Sequence, residues 1–169
     1  MELRFDRVDL FDQEQLRKLK KINSVLFSQR YNDFFYKKVI TKKDSGWFYL
    51  LYLLDQNREE LVGTFGCMID LTGINISAKV KEAGSNIYCY VLTFGILAAY
   101  RRMGLGRTMW EYLEENIPAN KYILHLQSDN SVALEFYKRL GFEQKGGIIR
   151  NYYEQLQHKD ALLLVKYKE

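Results

Sequence analysis

The chain has 169 residues, 47% hydrophobic and 15% aromatic, with 25 Lys+Arg against 21 Asp+Glu for a formal charge of +4. That hydrophobic content excludes intrinsic disorder and allows one sizeable core, so a single domain over residues 1–169 is expected. The positive excess is too mild for a dedicated nucleic-acid binder and suits an anionic small ligand. Cys67 and Cys89 have neither CxxC spacing nor companion histidines, which excludes a zinc site and reads as two buried structural thiols. Met1 to Arg4 lacks the apolar segment of a signal peptide, and the longest apolar run, Trp47 to Leu54, is too short to span a bilayer. A cytoplasmic protein is expected, with the nucleus also open to it, and with no membrane and no specific nucleic acid as partner.

In chain order, Leu3 to Val8 alternates apolar and polar side chains and predicts a first strand. Asp12 and Gln15 form a capping-box pattern, followed by Leu16, Leu19, Ile22 and Leu26 at helical spacing, with Arg17, Lys18, Lys20 and Lys21 on the solvated face. Asn32 or Asp33 caps a second helix to about Ile40. Trp47 to Leu54 and Leu61 to Asp70 predict a hairpin around the polar turn Asp55 to Glu59. Leu71 to Asn86 reads as a long loop, and a strand runs from about Ile87 to Leu97.

A helix after Gly106 presents Met109, Leu113 and Ile117 and stops before Pro118. Lys121 to Leu126 is a strand, and Ser131 to Leu140 a helix presenting Val132, Phe136 and Leu140, closed by Gly141. Two last strands follow, Phe142 to Ile149 and Ala161 to Tyr167, joined by a loop holding Tyr152 and Tyr153. Strand–helix–strand–helix–strand flanked by hairpins predicts an α/β domain with a mixed sheet and two parallel central strands.

The chemistry concentrates between Tyr90 and Arg107. An apolar strand runs into Arg101-Arg102-Met103-Gly104-Leu105-Gly106 and then directly into a helix. Unpaired N–H groups and the helix dipole make such a junction an anion site, and glycine lets a phosphate approach the backbone. The nucleotidase loop Gly-x-x-x-x-Gly-Lys-Ser/Thr is absent. A dinucleotide fingerprint fails because Met109 stands where its third glycine belongs.

Arg101-x-x-Gly104-x-Gly106 instead matches the Arg/Gln-x-x-Gly-x-Gly/Ala pattern of the GNAT acetyltransferase superfamily. Asn130-x-x-Ala133-x-x-Phe136-Tyr137 with Leu140-Gly141-Phe142 resembles that family's later segment. Over most of its length the chain resembles the N-terminal (N-alpha) acetyltransferases of the NatE, or San, type. The resemblance implies a GNAT fold of about seven strands and four helices, with two central parallel strands splayed around acetyl-CoA. The co-substrate is acetyl-CoA, with no metal. Its pyrophosphate would lie on Arg101, Arg102, Met103, Gly104, Leu105, Gly106 and Arg107. Its acetyl and pantetheine parts would meet Leu92, Phe94, Gly95, Ile96 and Leu97 on the strand, and Asn130, Ala133, Phe136 and Tyr137 on the later helix.

The same resemblance makes Tyr90 and His125 the catalytic pair. Phe27, Gln29, Tyr31, Leu92, Tyr152 and Tyr153 become the lining of a groove for a peptide N-terminus, with Met-starting chains the expected class. Ser28-Gln29 stands where the family has Pro-Val, so the wall around the first side chains should be more polar. Association with a larger ribosome-bound acetyltransferase complex is left open.

The reaction needs a neutral amine, a polarised thioester carbonyl and a stabilised thiolate. His125, titrating nearer neutrality than a tyrosine, is assigned as base through a water, with Tyr90 as the orienting group. Main-chain donors just after Leu92, freed by a bulge near Thr93–Phe94, would polarise the carbonyl, and Tyr137 would face the departing thiolate. The plain alternatives are a hydrogen-bonded core histidine and a packing tyrosine. Two rival functions stand beside this reading: a GNAT enzyme acting on lysine side chains or small amines, and an inactive scaffold that binds acetyl-CoA.

Overall fold

The computed structural model describes residues 2–42, 45–69, 87–117 and 119–168. The expected loop Leu71 to Asn86 and the helix stop at Pro118 lie outside the described residues. Seven strands are described: β1 (Glu2–Arg7), β2 (Gly46–Asp55), β3 (Arg58–Met68), β4 (Tyr88–Ile96), β5 (Lys121–Gln127), β6 (Glu143–Gln144) and β7 (Ala161–Tyr167). Four helices join them: α1 (Gln13–Leu26), α2 (Asp33–Ile40), α3 (Leu105–Asn116) and α4 (Ser131–Arg139). The strands form one mixed sheet in the order β1-β2-β3-β4-β5-β7-β6, the α/β architecture expected from the sequence.

The chain forms two compact units, one of Met1–Met68 with Val91–Asn116 and the other of Ile69–Tyr90 with Ile117–Glu169. In the first unit, β1, β2 and β3 are neighbouring antiparallel strands, with α1 and α2 between β1 and β2 and a two-residue turn between β2 and β3, across which Asp55 pairs with Arg58. The β2–β3 ladder slips between Leu51 and Tyr52, and the Val62 carbonyl instead accepts a 2.8 Å hydrogen bond from Leu97 N–H. β4 is extended from Tyr88 to Ile96, and its ladder with β5 covers Tyr88 to Tyr90.

Leu16, Leu19 and Ile22 bury the apolar face of α1, each fully buried side chain contributing about 1.5–3 kcal/mol. Asp12 caps the helix by accepting from Gln15 N–H at 3.0 Å. The reciprocal arm of the expected capping box goes elsewhere, since the Gln15 amide oxygen accepts from Asp9 N–H. Asn32 caps α2 through Phe35 N–H.

In the second unit, β4 pairs in parallel with β5 through Tyr88, Cys89 and Tyr90, matched with Lys121, Tyr122 and Ile123. β7 runs antiparallel to β5 along its whole length. Two expectations need correction. Val132, placed on the buried face of α4, is 78% exposed, and Tyr137 is the residue that α4 buries. The strand expected from Phe142 to Ile149 shrinks to Glu143–Gln144 and a lone bridge from Ile149 to Ala161. Gly146, at φ 73 and followed by Gly147, turns the chain out of the ladder between them.

Candidate active site

The second unit assembles a cluster from three segments distant in sequence. Tyr90 pairs in register with Ile123, and His125 lies two residues further along β5. Residues two apart on a strand share a face, so the side chains of Tyr90 and His125 meet. The Tyr90 hydroxyl lies 2.6 Å from His125 Nδ1 and 3.3 Å from the Tyr152 hydroxyl. The Tyr152 ring stacks on the imidazole at 4.3 Å and 16°, and Tyr153 packs edge-on against Tyr152 at 4.9 Å.

Burial lowers the pKa of His125 from 6.5 to about 4, because the uncharged ring is favoured where water is excluded. Burial also raises the Tyr152 phenol, against a smaller opposing effect of its hydrogen bond with Tyr90. A neutral ring carries one proton, and in the tautomer that holds it on Nε2 the Nδ1 atom accepts from the Tyr90 O–H, which leaves the Tyr90 oxygen to accept from the Tyr152 O–H.

In the same unit, Asn130 caps α4, its amide oxygen accepting from Ala133 N–H at 3.1 Å. Tyr137 is buried, with edge contacts to Phe136 and Phe142, each at 5.3 Å. Burial holds its phenol well above the ordinary tyrosine pKa.

The first unit holds the loop between β4 and α3. A short 3₁₀ turn, Ala98–Tyr100, precedes Arg101, whose Nε donates to the Ile96 carbonyl at 3.0 Å. Arg102 and Gly104 both take left-handed backbone, at φ 65 and 81, on either side of Met103. An arginine in that conformation carries a cost of about 1–2 kcal/mol, which marks a bend that the loop enforces. The Gly104 carbonyl accepts from Thr108 N–H at 3.2 Å. Gly104 is thus the helix cap, and the N–H groups just after it have no acceptor within the helix. A Cβ built at Gly104 meets nothing within 4 Å, and residues 101–104 are all exposed. An open helix N-terminus beside two arginines fits an anionic phosphate group, so the loop suits the pyrophosphate of acetyl-CoA.

The first unit also groups Phe27, Tyr31 and Phe35. Tyr31 stacks on Phe35 at 4.3 Å and meets Phe27 edge-on at 6.4 Å. A Cβ at Gly95 would lie 3.2 Å from the Phe27 ring, so glycine there lets the aromatic loop settle on β4. Gln29 and Leu92 are half-buried. Phe94 packs against Trp110 of α3 at 6.0 Å.

The model of the acetyltransferase (GNAT) family matches residues 14–142. The chain belongs to that family. It is 32% identical over 158 residues to a probable N-acetyltransferase san of Drosophila melanogaster, covering 89% of this chain and 74% of the fly protein. It is 31% identical over 169 residues to N-alpha-acetyltransferase 50 of Danio rerio, covering 95% and 88% of the two chains. Among solved structures, Arabidopsis thaliana Naa50 in complex with the bisubstrate analogue CoA-Ac-MVNAL superposes with a TM-score of 0.77. That pair is 29% identical, over 99% of this chain and 100% of the plant chain. For this GNAT chain, Phe35 is a neighbour of the aromatic loop that sequence reasoning missed, although its position four residues after Tyr31 signalled it. Asp160, described below, was missed too, and no local pattern marks it.

Proposed function

We propose that this GNAT protein acetylates the free α-amines of protein and peptide N-termini, using acetyl-CoA as donor. The observation that carries the reading is the Tyr90–His125 pair covered by Tyr152, a neutral proton acceptor behind a phenol at the core of the second unit. The likeness to N-alpha-acetyltransferase 50 supports it.

When bound, acetyl-CoA supplies an activated thioester carbonyl. Arg101 to Arg107 would hold its pyrophosphate, and main-chain donors beyond Leu92 would polarise its carbonyl oxygen. Asn130, Ala133, Phe136 and Tyr137 would border its pantetheine arm. A peptide α-amine, with a pKa of about 7.7–8.0, is partly neutral near pH 7, so the base is needed for only ~10²-fold. We assign that work to a relay: the amine proton passes to the Tyr90 oxygen as the Tyr90 proton passes to His125 Nδ1. Neither β4 nor β5 carries an acidic residue, and the more basic lysine amine, at about 10.4, would call for one.

Phe27, Gln29, Tyr31, Leu92, Tyr152 and Tyr153 would border the peptide. Ser28 and Gln29 bring polar groups to that wall, so acceptance of polar side chains near the N-terminus goes with the proposal. Steady-state acetylation of a peptide library tests it. Products on α-amines, varying with the first two residues, are expected. Lysine-only products or no turnover would overturn it.

A further inference from the structure

The segment that carries Tyr152 is held by a residue eight positions further along the chain. Ile149 and Ala161 exchange backbone hydrogen bonds of 2.8 and 2.9 Å, closing the base of the segment between them. Inside it, one Asp160 carboxylate oxygen accepts from Asn151 N–H at 3.0 Å, and the other pairs with the Arg150 guanidinium. Asn151 is left-handed, at φ 54, a conformation asparagine tolerates better than most residues.

The main chain of Asp160 faces the opposite way. Its carbonyl accepts from Ser128 N–H at 2.9 Å, just past the end of β5. Gln127, the last residue of β5, donates its side-chain amide to the His158 carbonyl at 2.9 Å, and Asp129 pairs with the His158 ring at 3.2 Å. Asp160 thus ties the strand that bears His125 to the turn immediately before Tyr152. On the strand side it uses its backbone, and on the turn side its carboxylate.

We infer that Asp160 is a positioning residue for the reaction, setting where the Tyr152 ring lies over His125 and where the Tyr152 hydroxyl meets Tyr90. The inference rests on the reading of Tyr90, His125 and Tyr152 as the groups that handle the amine. Without the carboxylate, the left-handed turn at Asn151 loses its acceptor and Tyr152 shifts from the imidazole. Displacements of about 1 Å in such groups can cost ~10²-fold in rate.

The test compares Asp160→Ala with Asp160→Asn, whose amide oxygen can still accept from Asn151 N–H. In D160A, peptide kcat/KM should fall about tenfold or more while acetyl-CoA affinity stays within about twofold. D160N should retain activity to within about threefold. The chain has 2 histidines, so NMR of labelled imidazoles, with His158→Gln to assign them, reads the titration of His125 directly. It should move up toward the ordinary histidine value in D160A and stay depressed in D160N. Asp160→Ser, too short to reach Asn151, serves if D160A does not fold.

An unchanged His125 titration in D160A would overturn the inference. So would a loss of acetyl-CoA binding in step with peptide turnover, which signals general disruption. Absence of peptide acetylation by the wild-type protein would sink the proposed function, and the His125 titration would still decide the role of Asp160.

Discussion

The Tyr90 hydroxyl stands 2.6 Å from Nδ1 of His125, across the parallel ladder that joins β4 to β5. Two groups bonded to each other act as one unit. On the sequence alone, His125 takes the proton through a water and Tyr90 only orients. The contact instead puts the phenol against the nitrogen that would act as base.

Removal of either partner should therefore cost nearly as much as removal of both. Tyr90→Phe and His125→Ala are each expected to lower kcat by ~10²-fold, with the double variant close to the worse single one. Acetyl-CoA affinity should be little changed, since neither Tyr90 nor His125 is among the residues assigned to hold the cofactor. Single-turnover rates of the four proteins close the cycle. Strict additivity of the two losses would mean independent roles and would rule out the relay.

Burial of His125 gives the pH dependence a definite sign. With the imidazole pKa lowered to about 4, the base stays unprotonated throughout the neutral range. Peptide kcat/KM should then rise with pH through the α-amine pKa, about 7.7–8.0, with no separate step near an ordinary histidine's ~6.5. Stability follows the same shift. A folded pKa below the unfolded one gives stability that is complete above about pH 6.5 and is lost as pH falls toward the folded value. Wild type should therefore lose stability against His125→Asn over that window. A pH–rate profile and denaturant melts at several pH values check both statements.

At Gly104 the structure refines the expectation of a simple size limit. The position has open space around its Cα but a φ of 81, so any side chain meets backbone strain first and an incoming phosphate second. Gly104→Ala should cost about 1–2 kcal/mol of stability, and Gly104→Val should lose acetyl-CoA binding while the chain still folds. Calorimetric titration with acetyl-CoA measures this. Normal affinity in the Val variant would remove the loop from the binding site.

How much of this was legible in the sequence depends on how local each determinant is. Asp12, Asn32, Asn130 and Gly141 set helix ends through bonds only three or four residues long, and those ends were predicted well. The apolar runs of β2 and β7 likewise announced buried strands. The strand after Phe142 was overextended, because its apolar pattern continues through Ile149 while Gly146 turns the backbone away. Val132 was misplaced because α4, only nine residues long, buries its tyrosine side rather than the Val132–Phe136 stripe. His125 and Tyr152 stack across 27 positions, and Asp160 reaches back nine to Asn151. No periodicity encodes such contacts; they follow from the pairing of β5 with β7.

Tyr137 offers the sharpest separation between packing and chemistry. The sequence places it beside the departing thiolate, where it would donate a proton. Its phenol is buried, and burial holds its pKa well above the ordinary value. A thiol ionises near 8.5, so transfer from a phenol that ordinarily ionises near 10 is uphill by more than about one unit even before burial is counted. Tyr137 can then act on the thiolate only as a hydrogen-bond donor, a role worth about 1 kcal/mol, or roughly fivefold in rate. Tyr137→Phe keeps the ring that meets Phe136 and Phe142, so stability should hold and kcat should fall by no more than about tenfold, far less than in His125→Ala. A loss in Tyr137→Phe as large as in His125→Ala, with the cofactor still bound, would restore Tyr137 as the general acid.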